Sequence, residues 1–199
     1  MLNIQFLVDN SKIKHYLFKK QGIENVPQKL LLEAEKFKKI VELKWKVKEP
    51  IISAVFEKLT GIKLEGKFVV SILPPSFEIA QYNDEHNIEW GYSELYPNYI
   101  VIGLTHELLH CLTHNFYTRL TDDQKWIFHS VIYLSIDEQL RFELNGKSEY
   151  FSAPIIETYH KRLIQTTKSI LPHFLKYITE TKPKNIFNFY KKICKLKVK

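Results

Sequence analysis

Between Pro27 and Lys46 apolar residues recur at helical spacing. Leu30, Leu31, Ala34, Phe37, Ile40, Val41 and Trp45 fall on one face, and a proline suits the first turn of such a helix because its φ is already set. The pattern restarts at Pro50, where Ile51, Ile52, Val55, Phe56 and Leu59 make a second buried face that Gly61 can cap. Residues 1–25 carry short apolar stretches (Ile4, Phe6, Leu7) with no clear period.

The middle of the chain changes character. Lys67 to Leu73 is rich in β-branched residues and ends in Pro74-Pro75, which reads as a strand followed by a break. Phe77 to Tyr82 and Ile88 to Tyr92 are weaker strand segments. Asn98 to Ile102 reads as a strand or extended segment leading into another helix. Together they predict a small sheet, antiparallel or mixed.

The second half is helical. Thr121 and Gln124 match a capping box, with Asp122 and Asp123 at the positive helix end. Trp126, Ile127, Val131, Leu134, Ile136, Leu140 and Leu144 then carry one long helix to Asn145-Gly146. Ser152 and Pro154 begin another, reaching about Leu171. Pro172 interrupts it, a further segment runs to Thr179, and a last short helix spans Asn185 to Leu196. The expected fold is α+β within one domain, mainly helical, with the small sheet packed on the helix around residues 104–112. Residues 1–62 form an N-terminal helical part, 63–146 the core and 147–199 the C-terminal helices.

Composition narrows the class. Hydrophobic residues are 45% and aromatics 14% of 199 residues, enough for a core, and only 6 glycines and no low-complexity tract argue against disorder. The net charge of +7 comes mostly from lysine, with a dense run from Lys191 to Lys199. Such an end can meet nucleic acid or anionic lipid, but a solvated lysine-rich surface is the simpler reading, so nucleic acid is not the expected partner. Two cysteines, Cys111 and Cys194, make no disulfide framework. No signal peptide is read at the start and no apolar run is long enough to span a bilayer. The expectation is a reduced, cytoplasmic protein.

The chemistry concentrates at His106, Glu107, Leu108, Leu109 and His110, which spell H-E-x-x-H. Residues four apart share a helical face, so both imidazoles can reach one ion, and Glu107 is placed to act on a water molecule beside it. That combination suits zinc-assisted hydrolysis of an amide. Leu104, Leu108, Leu109 and Leu112 form an apolar stripe around the motif, as a buried helix requires. The plainer alternative is a buried helix whose histidines make ordinary hydrogen bonds.

A catalytic zinc takes three protein ligands. His114 continues the four-residue spacing, but it lies about 12 Å along the helix from His106, too far for one ion with bonds of about 2 Å. A carboxylate on the following long helix is the better third ligand. Glu138 is preferred because it sits among Leu134, Arg141 and Phe142 at the border of the core, where a buried acid needs a partner. Pairing with Arg141 or a lysine is the competing use of Glu138. Asp137 is second choice as a ligand and Glu143 third.

From Ile100 to Glu143 the chain resembles the zincin metallopeptidases, in particular the gluzincin branch, in which H-E-x-x-H is completed by a glutamate on a later helix. The matching residues are His106, Glu107, His110 and Glu138, in what looks like a minimal zincin core with helical additions. The resemblance implies Zn²⁺ on His106, His110 and Glu138, with Glu107 as general base, and a peptide or protein substrate. It also implies an oxyanion donor, for which Tyr150, Tyr159, His160, His129 and Tyr133 are available. An extended substrate could pair with a sheet edge, with Lys67–Leu73 and Asn98–Ile102 as candidates. Two other readings compete: a metal-binding zincin-like interaction module without proteolysis, and a nucleic-acid-associated protein that works through its basic end.

Overall fold

The structure, a computed structural model, describes residues 1–146, 161–180 and 182–196. Its sheet has four strands: β1 (Leu2–Val8), β2 (Gly66–Ile72), β3 (Ala80–Tyr82) and β4 (Asn87–Trp90). They lie in the order β1-β2-β4-β3. β1 and β4 both run parallel to β2, and β3 runs antiparallel to β4 as an edge strand. The sheet is therefore mixed. β1 is the first departure from the sequence pattern, which gave the N-terminal residues no period. Its burial alternates only over its first few residues, too short a signal to separate from noise.

Helix α1 (Asn10–Gln21) follows directly. The Asp9 carboxylate accepts from the Ser11 and Lys12 N–H groups, and Gly22 closes the helix at φ 68°. Helix α2 (Gln28–Thr60) then runs unbroken for 33 residues, through the proline at which two helices were expected to meet. Pro50 removes the N–H that would bond the Lys46 carbonyl. Both residues are exposed, so water can take that bond while the buried face packs on either side.

Strand alternation sorts side chains between two faces. Val70, Ile72, Ile88 and Trp90 point into the main core, shared with α2 and with α3 (Tyr99–Leu112). Between Ile88 and Trp90, Glu89 points the other way and meets Lys12 and Tyr16 of α1. A smaller cluster of Ile13, Leu17, Ala34, Leu73 and Phe77 seals that side.

The segment from Asn98 to Ile102, expected to be extended, is already helical. Asn98 adopts a left-handed conformation (φ 64°), and its carbonyl accepts the Ile102 N–H to start α3. Ile100, Val101 and Ile102 are all buried, so packing overrides their β propensity. Gly103 lets α3 lie close on the sheet: a Cβ there would stand 2.4 Å from the Trp90 ring.

After a short α4 (His114–Tyr117), α5 (Asp122–Ile132) begins with the expected capping box between Thr121 and Gln124. A π-helical turn (Tyr133–Asp137) interrupts the predicted long helix before α6 (Glu138–Asn145), which Gly146 closes. Helix α7 (Lys161–Thr179) continues through Pro172, and α8 (Ile186–Lys195) packs on α5. The expected helix start at Ser152–Pro154 lies outside the described residues. Among the described residues no helix is long and apolar enough to cross a membrane.

Candidate metal centre

Helix α3 carries the H-E-x-x-H segment with His106 and His110 on one face, both buried at 5% and 1% exposure. α5 packs across them and adds His129. Among the described residues, His106, His110 and His129 form a group whose ligand nitrogens all lie within 4.8 Å of one another. That span is on the scale of two metal–nitrogen bonds of about 2 Å each. The ring centroids stand 4.5 to 5.3 Å apart.

His106 is oriented from behind. Both oxygens of Asp137 lie 3.0 Å from its Nδ1. Nδ1 therefore carries a proton and donates it to the carboxylate, which leaves Nε2 as the nitrogen facing the interior of the group. Burial opposes charge on this ring, but the Asp137 carboxylate outweighs it and pushes the His106 pKa up to about 9. The other two rings go the opposite way. Burial, then the neighbouring His129 and His106, holds His110 well below the ordinary value, and burial takes His129 to about 3. His110 and His129 are therefore neutral donors, while His106 is protonated at neutral pH and would give up its Nε2 proton to a bound cation.

His110 supplies an independent observation. Both of its ring nitrogens are buried and neither has a hydrogen-bond partner, and Tyr82 stacks flat on the ring at 4.9 Å. A buried polar ring with no partner is costly. A metal on one nitrogen removes part of that cost, so the residues present fit a bound ion.

Glu107 is partly exposed and points towards the sheet edge, where its Oε2 accepts the Tyr82 N–H at 2.9 Å. Burial raises its carboxyl pKa, against the pull of His106 and of that N–H. Beside the histidines an open pocket of about 430 Å³ is lined by Tyr117, Asp122, Lys125, Trp126 and His129.

The structure does not bring Glu138 to the histidines. Its carboxylate accepts from the Tyr133 hydroxyl and from Arg141, the latter at 3.1 Å. The competing use anticipated for Glu138, pairing with Arg141, is what the fold adopts. The third side chain beside His106 and His110 is His129, and Asp137 stands behind His106 rather than among the three.

The π turn explains this exchange. In a regular helix His129 and Asp137, eight residues apart, would face directions about 80° apart. One extra residue in a π turn, closed by the Glu138 N–H on the Tyr133 carbonyl, reduces that to about 20°. Both then face α3, while Glu138, one residue further on, still points about 80° from His129.

His114 lies beyond the end of α3 and outside the group of three. Glu143 is exposed on α6. Of the oxyanion candidates, Tyr133 is buried against Glu138 and His129 stands in the group of three histidines. Tyr150, Tyr159 and His160 lie outside the described residues. Tyr82 and Tyr117, which the sequence reading did not single out, border the site. Compared with known proteins, the chain matches no family model, no curated sequence and no solved structure.

Proposed function

We propose that this chain is a zinc-dependent metallopeptidase of zincin type, with His106, His110 and His129 holding the ion. The observation that carries the reading is the three-histidine group beside Glu107, with both nitrogens of His110 left without partners. A divalent ion on these donors supplies Lewis acidity and lowers the pKa of water in contact with it. Three imidazoles suit zinc, although copper and nickel accept the same donors.

The roles of the chain's own residues follow from their surroundings. Glu107 takes a proton from the attacking water and returns it to the departing amine, and its raised pKa favours both transfers. Asp137 keeps His106 in the tautomer that points Nε2 inward. The edge strand β3 offers a dock for an extended peptide. Its pairing with β4 uses the main chains of Ile79 and Asn83, so Ala80 turns its main-chain N–H and carbonyl outward and Tyr82 its carbonyl, the Tyr82 N–H being held by Glu107. This replaces the two edges expected from sequence, since β2 is an inner strand and Asn98–Ile102 is helical. The pocket walled by Tyr117 and Trp126 would take a neighbouring substrate side chain.

The test uses the full chain loaded with zinc. One zinc per chain and cleavage of a peptide library are expected, with the metal retained and cleavage lost in Glu107→Gln. Cleavage by Glu107→Gln at the parent rate would rule the mechanism out.

A further inference from the structure

The long helix α2 has a second face that is exposed among the described residues. Leu32, Ile40, Leu43, Val47 and Ile51 are each between 43 and 65% exposed. Their spacing repeats with the helical period, so they form one strip about 28 Å long. The buried face of the same helix (Phe37, Val41, Trp45, Ile52) points the opposite way into the core. The strip thus lies outside the core that the described residues form.

Beyond Glu33 and Glu35 at its start, the charge around the strip is one-sided. From Lys36 to Ala54 every exposed position of α2 is apolar or lysine, with Lys36, Lys39 and Lys46 set among the apolar residues. The acids of this stretch lie further round, and each has a partner within the fold. Glu42 faces Lys38, and Glu49 accepts from the Trp45 indole. The chain as a whole carries +7.

We propose that this face of α2 docks on an anionic lipid bilayer, the apolar strip entering the headgroup boundary while the lysines meet lipid phosphates. A helix with an apolar stripe edged by lysine is suited to lying in that interface. A second copy of the chain fits less well. Two such faces would set lysines against lysines.

The experiment is co-sedimentation of the full chain with vesicles of phosphatidylcholine alone and of phosphatidylcholine mixed with phosphatidylglycerol. Binding to the mixed vesicles only is expected, weakening as salt rises. The double variant Leu43→Glu with Val47→Glu should bind at least about tenfold more weakly. Both positions are exposed, so its circular dichroism should match the parent. A double variant in which Lys191 and Lys192 become Ala should keep most of the binding. Equal binding by the parent and the Glu variant would overturn the proposal, because the affinity would then lie elsewhere on the basic surface. A dimer in sedimentation velocity that the Glu variant dissolves would also overturn it, naming a second copy as the occupant. So would failure to bind mixed vesicles with uptake of an acidic amphipathic helix instead.

Discussion

Asp137 grips Nδ1 of His106 with both carboxylate oxygens, each at 3.0 Å, from a π turn that the sequence pattern does not announce. The contact fixes a tautomer as well as a ring position. Asp137→Asn keeps an acceptor for the N–H but removes the charge, whereas Asp137→Ala removes both. Zinc affinity should fall about 10-fold in the first and up to about 100-fold in the second. A competition titration against a chelator of known affinity reads the difference. Unchanged affinity in Asp137→Ala would mean that His106 needs no such support.

His129 stands beside His106 and His110 where Glu138 was expected, Glu138 pairs with Arg141, and two variants separate the possibilities. His129→Ala should lose stoichiometric zinc while keeping the fold, since its ring is only partly buried. Glu138→Gln should keep zinc and lose stability. Its carboxylate sits at 1% exposure between the Tyr133 hydroxyl and Arg141, and weakening such a buried pair costs about 3 kcal/mol. Metal analysis together with thermal melting distinguishes them. Zinc lost in Glu138→Gln and kept in His129→Ala would restore the glutamate as ligand.

Much of this site is legible in residues 104–112, because a motif on a helix of known period defines its own geometry. The spacing alone puts His106, Glu107 and His110 around one point, and Leu104, Leu108 and Leu109 are buried as their stripe implies. What the spacing cannot carry is a partner on another helix whose register shifts midway. A regular 3.6-residue count through Tyr133–Asp137 leaves Asp137 about 80° from His129, and only the extra residue of the π turn brings the two within about 20°. The same limit applies elsewhere. The proline at 50 reads as a boundary, yet α2 continues because its buried face is anchored on both sides. Ile100 to Ile102 reads as a strand, yet it is helical because every side chain there is covered.

Glu89 gives a pH dependence whose sign can be worked out. Burial raises its pKa, but Lys12 at 2.7 Å, Tyr16 at 2.6 Å and Asn83 at 2.8 Å outweigh that and hold it below the ordinary carboxylate range. A depressed folded-state pKa adds stability that is fully present above the unfolded value of about 4.3 and is lost as pH falls through the lower folded value. Glu89→Gln should therefore be less stable than the parent by about 1–3 kcal/mol at neutral pH. The gap should narrow as pH drops below about 4. Urea unfolding at pH 7 and in acid measures both. A gap that stays constant into acid would remove Glu89 from the account of acid stability.

Gly103 sets how closely the motif helix approaches the sheet, and so where the histidines stand relative to β3. A methyl group at residue 103 would lie 2.4 Å from one atom of the Trp90 ring and 3.0 Å from another. Trp90 is fully buried and its indole N–H donates to the Tyr92 carbonyl, so the ring cannot swing aside without breaking that bond. In an exposed helix Gly→Ala stabilises by up to about 1 kcal/mol; here overpacking should reverse the sign and cost about 1–3 kcal/mol. For a chain of this size that is a melting-temperature drop of roughly 2–12 °C. If α3 moves outward to relieve the clash, the Glu107 bond to the Tyr82 N–H lengthens with it, and activity should fall by more than the loss of folded protein explains. A Gly103→Ala protein that melts at or above the parent temperature would show that the helix does not depend on this close approach.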